Sequence, residues 1–307
     1  MTTTFQSMVD EVLLNLQGYT LQQAQSTYIT TPVTTLTSPS TSPTVLQLAS
    51  TDSLGKGIIE IDDELMWIDN YDRVANTAIV APYGRGFMGT TATTHSADSR
   101  VLIAPIFPRS VVKKAINDTI RAMGSQLYGI HSTTFTYTLP QTTYGFNNLK
   151  MKNVISIMWQ TVGPTREWVY VRNWDWDSKA DPTVWGSGAQ TITIGDYITP
   201  GRTVKVLYGT DPNILVDDSD DFAETTGFEE SSKDVVIYGA CYRLLSFMDP
   251  SRATMVSPQA DETDARRPFG SSNQAVKQLF ALYTQRLQEE LLEQQRHYPI
   301  RVHYARR

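Results

Sequence analysis

Tyr83-Gly-Arg-Gly-Phe-Met-Gly-Thr-Thr-Ala-Thr-Thr-His-Ser-Ala-Asp-Ser-Arg-Val101 is the stretch on which the reading of this chain turns. Gly84, Gly86 and Gly89 fall at the G-x-G-x-x-G spacing of a dinucleotide-binding loop, and Thr77–Ala81 can supply the strand before it. Such a loop needs a helix immediately afterwards, so that the phosphates meet its N-terminus. Instead Thr90, Thr91, Thr93 and Thr94 follow, β-branched residues that lose side-chain freedom in a helix, with no apolar residue at helical spacing before Val101. The reading that survives is a glycine-containing turn between strands, with a Thr-rich exposed return into Val101–Ala104.

Working outward, the flanking sequence repeats this β character. Ile58–Ile61, Leu65–Ile68, Thr77–Ala81 and Val101–Ala104 are short β-type runs, and Asp69-Asn70-Tyr71-Asp72 is the expected turn between the second and third. A small antiparallel meander is predicted. Before it, residues 30–44 carry Pro32, Pro39 and Pro43 among Thr and Ser, which predicts an extended surface loop.

Four stretches have helical periodicity instead. Phe5, Val9, Val12, Leu13 and Leu16 share a face after Thr4, a plausible N-cap, and end at Gly18. Val112, Ile116, Ile120, Met123 and Leu127 form one stripe over about Arg109 to Tyr128. Ile237, Cys241, Leu244, Leu245 and Met248 define a third, capped by Ser231 or Ser232 and stopped by Pro250. Val276, Phe280, Tyr283, Leu287 and Leu291 define a fourth, from about Ser272 to Arg296. Between the second and third helices the period switches to two: Phe135/Tyr137/Leu139, Trp168/Tyr170, Ile192/Ile194 and Val204/Val206/Tyr208 alternate, with turns at Gly163-Pro164, Asp181-Pro182 and Asp211-Pro212. Five or six short strands are expected there, as a β-sandwich or small barrel.

The expected fold is therefore α+β: a four-helix core discontinuous in sequence, with a small β-meander and a β-sandwich or barrel-like module inserted between helices. The helical core takes 1–20, 105–130 and 231–296; loop plus meander take 21–104; a Trp-rich β-module with an acidic loop takes 131–230; 297–307 is a tail. Insertions at surface loops cost little loop entropy, so scattered helices can still share a core.

Bulk properties narrow the function classes. A 307-residue chain with a net charge of -6 argues against a dedicated nucleic-acid binder, which needs a basic face. One cysteine, Cys241, excludes an internal disulfide framework and a thiolate zinc site. The N-terminus lacks a basic segment leading into an apolar core, which predicts no signal peptide. No apolar run has the length of a bilayer span, so no membrane is expected as a partner, and the expectation is a soluble chain made in a reducing cytoplasm.

No catalytic constellation stands out, and neither a cofactor nor a metal is expected. His95, His131, His297 and His303 show no i, i+4 ligand spacing on a helix and no acidic partner at ligand spacing. Asp217, Asp218, Asp220, Asp221 and Glu224 belong to an acidic run, Asp217 to Glu230; at the spacing of a helix-loop-helix calcium site counted from Asp217, Phe222 and Phe228 stand where the glycine and the distal glutamate belong. Asp175 and Asp177 alternate on one predicted strand among tryptophans, but nothing marks either as a raised-pKa acid. Trp159, Trp168, Trp174, Trp176 and Trp185 are either core of the β-module or, if exposed, a surface for protein or sugar. The tail interleaves Tyr298, Arg301, His303, Tyr304, Arg306 and Arg307, with Tyr and Arg the types enriched at binding hot spots.

Three stretches carry a resemblance. Arg85-Gly86-Phe87-Met88-Gly89-Thr90-Thr91-Ala92 with His95 and Ala97 resembles the R-G-x-x-G-T-T-A-x-x-H-x-A hairpin of neck and connector proteins of tailed bacteriophages, with Asp98 where glycine is usual. Val9-Asp10-Glu11-Val12-Leu13 is similar to the opening helix of phage head-to-tail adaptors. Val236-Ile237-Tyr238-Gly239-Ala240-Cys241-Tyr242-Arg243-Leu244-Leu245 is similar to their apolar, small-residue helix. The resemblance implies a structural protein of the virion neck and not an enzyme. It implies a homo-oligomeric ring, commonly of twelve subunits, beneath the portal protein. The ring extends the DNA channel without sequence-specific binding and offers a platform to the next neck or tail-completion protein. It implies portal docking by the tail residues named above, and the acidic run is expected to face the channel or a neighbouring subunit. The alternative expectation is a baseplate or tail component with a glycan-binding β-module.

Overall fold

The computed structural model describes residues 2–17, 25–34, 44–147, 149–163, 166–186, 188–246 and 271–299. The fold is mixed α+β. The helices are α1 (Phe5–Gln17), α2 (Arg109–Met123), α3 (Pro182–Trp185), α4 (Phe222–Thr226), α5 (Lys233–Ser246) and α6 (Ser271–His297). The predicted stripe of α2 is buried in full: Val112, Ile116, Ile120 and Met123 are 0% exposed, and Leu127, just past the helix, is 2% exposed. Each such side chain contributes about 1.5–3 kcal/mol by leaving water. On α1, Phe5, Met8, Val9, Val12 and Leu16 are buried. Helix α5 is apolar almost all round, burying Val235, Val236, Ile237, Ala240, Cys241, Leu244 and Leu245. Its serines do not cap it: Ser232 Oγ donates to Glu229 O and Ser231 Oγ to Glu290 Oε2. Met248 and Pro250 lie outside the described residues.

The chain divides into two compact units, one from Met1–Gln6, Asn117–Val236 and Ala281–Arg307, the other from Ser7–Ile116 and Ile237–Phe280. The second contains β1 (Gln25–Tyr28), β2 (Thr44–Gln47), β3 (Gly57–Ile61), β4 (Glu64–Asp72), β5 (Thr77–Val80) and β6 (Arg100–Ile103). They form one antiparallel sheet in the order β1-β6-β3-β4-β5-β2. Beyond the outer strands, Ile29 bridges Leu48, Thr30 N donates to Gln47 O (2.8 Å), and Ala49 N donates to Tyr28 O (2.9 Å). The sheet thus curls until its two edges meet at this end, which satisfies backbone groups that an open edge would expose. Ile29, Leu46, Leu48, Ile59, Ile61, Met66, Ile68, Ala78, Val80 and Val101 fill its core.

One expectation needs correction here, and two strands flank the predicted loop where the sequence showed none. Asp69 to Asp72 is not a turn: it lies within β4, whose pairing with β5 shifts register between Ile68 and Asn70 and then continues. The chain turns just after Asp72, whose Oδ1 accepts the N–H groups of Val74 (2.8 Å) and Ala75 (3.2 Å). The stretch read as a loop from 30 to 44 ends in strand β2, and β1 precedes it. Neither strand shows alternation of apolar side chains, since each buries one residue, Thr27 or Leu46; pairing with β6 and β5 defines them. Residues 35–43 lie outside the described set.

In the first unit seven strands follow: β7 (Gly129–Thr136), β8 (Thr143–Phe146), β9 (Asn153–Gln160), β10 (Trp168–Tyr170), β11 (Trp174–Asp177), β12 (Gln190–Ile194) and β13 (Thr203–Thr210). Two antiparallel sheets result, β10-β9-β13-β7 and β11-β12-β8. One cluster draws on both: Tyr144, Phe146, Ile192 and Ile194 from the smaller sheet, Val154, Ile157, Val204, Val206 and Tyr208 from the larger. The period-two reading anticipated this core, one or two strands short.

Candidate functional site

The residues that carry the virion-hairpin resemblance converge on one buried carboxylate, Glu64. Strands β3 and β4 are joined by the two-residue turn Asp62-Asp63, with Ile61 paired to Glu64. Asp62 takes a left-handed φ of 54°, which Asp tolerates better than most residues. This turn sets Glu64, fully buried, under the 83–99 loop. Arg85 grips it bidentately, Nε to Oε1 at 2.6 Å and Nη2 to Oε2 at 2.9 Å. Gly86 N donates to Oε1 and Thr93 N to Oε2, each at 2.9 Å. His95, also buried, places Nε2 2.9 Å from Glu64 Oε2 and Nδ1 2.7 Å from Asp62 Oδ2. Arg85 further donates to the carbonyls of Thr34 and Thr93.

Burial alone would raise the Glu64 pKa, but the donors Arg85, His95, Thr93 N and Gly86 N prevail and hold it at about 2. Burial likewise opposes protonation of His95, yet the bonds and charges of Glu64 and Asp62 raise its pKa. As imidazolium it donates from both nitrogens, which this geometry requires. Five donors saturate the Glu64 oxygens, so the arrangement is a lock that holds the loop on the sheet. A carboxylate this stabilised and enclosed does not serve as a proton acceptor.

The glycines serve the same loop. A Cβ at Gly84 would stand 2.8 Å from Ala81 O and 2.9 Å from Trp67 O. Gly86 has φ +62°, and a Cβ there would meet Thr90 O at 2.7 Å. After them comes a single 3-10 turn, Phe87–Gly89, and the next helix is α2. The phosphate-cradle geometry is not formed. Thr90 Oγ1 instead accepts from Leu65 N (3.1 Å) and donates to Phe87 O (2.9 Å).

A second buried carboxylate, Glu60 on β3, contrasts with the first. Its Oε1 accepts the N–H of Arg109, first residue of α2, at 2.5 Å, while Oε2 has no partner among the described residues. Burial pushes it up to about 7, against the N–H and charge of Arg109. Asp63 binds Lys113 Nζ at 2.6 Å, and Arg109 Nη1 reaches Asp10 Oδ1 at 2.7 Å.

The acidic run does local structural work in the first unit. Asp220 Oδ2 accepts the N–H groups of Val216 (2.7 Å) and Asp217 (2.9 Å), which lower its pKa. Asp221 caps α4 by accepting from Glu224 N at 2.9 Å. The backbone of the run also anchors the start of the chain, with Phe5 N donating to Asp220 O and Phe222 N to Thr3 O. The outward-facing side chains of Asp217 and Glu224 are exposed.

Of the tail residues, Tyr298 is described: its N donates to Gln294 O at 2.8 Å, extending the end of α6. Arg301, His303, Tyr304, Arg306 and Arg307 lie outside the described residues. The tryptophans divide. Trp159, Trp174 and Trp176 pack on the β core, and the Trp185 ring lies against Gly145. Trp168, Val169 and Tyr170 are 40%, 40% and 52% exposed along edge strand β10. Asp175 and Asp177 point outward from β11 and accept the local N–H groups of Trp176 and Lys179.

The histidine reading passed over one local acidic partner: Glu293 and His297 are four apart on α6, and the fold brings Glu229 near them. Only the third residue, distant in sequence, has no local spacing to announce it. Cys241 is buried and its thiol is pushed up to about 12 by burial and the Glu11 charge, as its apolar helix face implied. Among the described residues no helix is long and apolar enough to cross a membrane. No protein-family model matches the chain, and no curated protein matches it.

Proposed function

We propose that this chain is a structural protein of a tailed-bacteriophage virion, a head-to-tail adaptor that forms a ring below the portal and extends the DNA channel. The observation that carries this reading is the role of the hairpin residues. Arg85, Gly86, Thr90 and His95, the positions that resemble the connector hairpin, all serve one fold-stabilising lock around Glu64 or its adjoining strand. A pattern whose side chains are spent on holding a loop supports an assembly part better than a reaction centre. The buried small-residue helix α5 agrees with the third resemblance, and its place with the other long helices in a four-helix core belongs to the same proposal.

In this reading the exposed carboxylates of Asp217 and Glu224 line the channel or a neighbouring subunit, where negative charge lets DNA slide, since phosphate is held by Lys and Arg. Asp220 and Asp221 hold backbone N–H groups, so the test of this point is Asp217→Lys with Glu224→Lys alone. Unchanged assembly and DNA ejection would remove the channel role. The tail, His297 to Arg307, docks on the portal; deleting it leaves the fold intact and abolishes co-sedimentation with portal rings.

Antibody-labelled electron microscopy of phage particles tests the whole reading. Label at the head–tail junction is the expected result, with disrupted particles probed if intact ones are unlabelled. Label at the tail tip favours the second reading, a tail component whose β-module binds a host glycan. The exposed Trp168 and Tyr170 on β10 are the observation behind it. Isothermal titration with host cell-wall polysaccharide separates the two, an adaptor giving no heat.

A further inference from the structure

We infer that Glu229, Glu293 and His297 form a binding site for a divalent transition-metal cation, zinc or manganese in type, that clips the end of α6 to the segment before α5. One ligand atom from each residue lies within 4.8 Å of the other two. His297 Nδ1 and Glu229 Oε1 are 3.5 Å apart. Ligands at the Zn–N and Zn–O distances of about 2.0–2.2 Å span a tetrahedral edge of about 3.4 Å, so this pair already stands at metal-bridging separation. Glu293 joins the pair from an exposed helix face, its carboxylate oxygen within 4.8 Å of both.

The backbones that carry the three donors are fixed to each other. Gln294, between Glu293 and His297, exchanges two hydrogen bonds with the Tyr128 backbone, Nε2 to O at 2.7 Å and N to Oε1 at 3.2 Å. Glu290, one turn earlier, is buried and accepts from Ser231 Oγ at 2.8 Å. Ser232 N and Oγ both donate to Glu229 O, at 3.0 and 2.7 Å. Ligand preorganisation of this kind removes the ordering cost that a metal would otherwise have to offset. Charge favours a cation too: two carboxylates face one imidazole, and an ordinary surface ion pair accounts for only one of them. An imidazole in the donor set selects a transition metal over magnesium or calcium, which prefer oxygen alone. Three protein ligands leave a tetrahedral position for water.

The test uses the untagged full-length protein with ZnCl2 and MnCl2 in isothermal titration, and CaCl2 as the oxygen-preferring control. The expected result is one zinc or manganese equivalent per chain, with at least a tenfold loss of affinity in Glu293→Gln and in His297→Asn. Wild type should also melt higher in excess zinc than in chelator, and the variants should not, since a ligand for the folded state raises stability by mass action. Both positions are exposed, and circular dichroism is expected to show unchanged folding of the variants. No zinc or manganese binding, binding that both variants retain, or calcium binding that His297→Asn leaves intact would each overturn the site. None of these readouts depends on the adaptor reading.

Discussion

Glu60 and Glu64 sit on the two strands of one hairpin, both almost wholly buried, yet their carboxyls move in opposite directions, to about 7 and about 2. Desolvation is the largest influence on each. The donors differ. Glu64 receives a bidentate guanidinium, two backbone N–H groups and an imidazolium, whereas Glu60 receives one N–H and leaves an oxygen unpartnered among the described residues. Burial raises the energy of a carboxylate in either place; only the number of aimed donors decides whether the fold gains or loses by ionising it.

The sharpest way to break this comparison is Glu64→Gln. It leaves Arg85 without its counter-charge and His95 with Asp62 alone, and is expected to destabilise the protein by about 3–5 kcal/mol in chemical denaturation. A loss below 1 kcal/mol would mean that the lock is not a unit. Glu60→Gln is expected to act oppositely at alkaline pH, stabilising by about 1–3 kcal/mol at pH 8 and by little at pH 4, since it removes a buried charge that forms only as pH rises. A destabilised variant at pH 8 would show that Glu60 is satisfied when ionised.

The signs combine into a pH profile. Glu64, depressed from 4.5 to about 2, contributes stability above 4.5 that is lost as pH falls toward 2. His95, raised above 6.5, contributes stability below 6.5 that is lost as pH rises through its folded value. Glu60, raised from 4.5 to about 7, likewise favours the folded state below 4.5 and loses that advantage as pH rises through about 7. Melting temperature against pH should therefore peak on the acid side of neutrality, and a maximum above pH 8 would contradict the lock's geometry. A half-buried carboxylate and an exposed one complete the series. Asp221→Ala removes the α4 cap and should cost about 1 kcal/mol. Asp175→Asn keeps an acceptor for Trp176 N in the open and should change stability by less than about 0.5 kcal/mol.

Local sequence signals located much of this fold because their physical causes are local. The α2 stripe, from Val112 to Leu127, lies on one face at helical spacing and is buried as a set. The alternation of Ile192 with Ile194 and of Val204 with Val206 marks strands whose buried residues share one core between the two sheets. The Thr run after Gly89 ruled out a phosphate-binding helix because β-branching disfavours helix wherever it occurs. Strands β1 and β2 escaped because one buried residue each gives no period, and their hydrogen bonds come from distant strands.

By itself, the sequence determined the buried face of α2, the glycine turn, the inert setting of Cys241 and the resemblance of the hairpin at Arg85 to His95. On α6 the predicted stripe is only partly buried, with Tyr283 and Leu287 inward and Phe280 50% exposed. Tertiary structure decided what the charged residues do. Glu64 reads as one acidic residue in Asp62-Asp63-Glu64 until Arg85 and His95 fold over it from 21 and 31 residues away. Glu229 becomes a partner of Glu293 and His297 only when α6 returns to the segment before α5. Apolar periodicity is a property of neighbours along the chain, whereas the state of a carboxylate is set by whichever donors the fold delivers to its two oxygens, and those have no fixed distance in sequence.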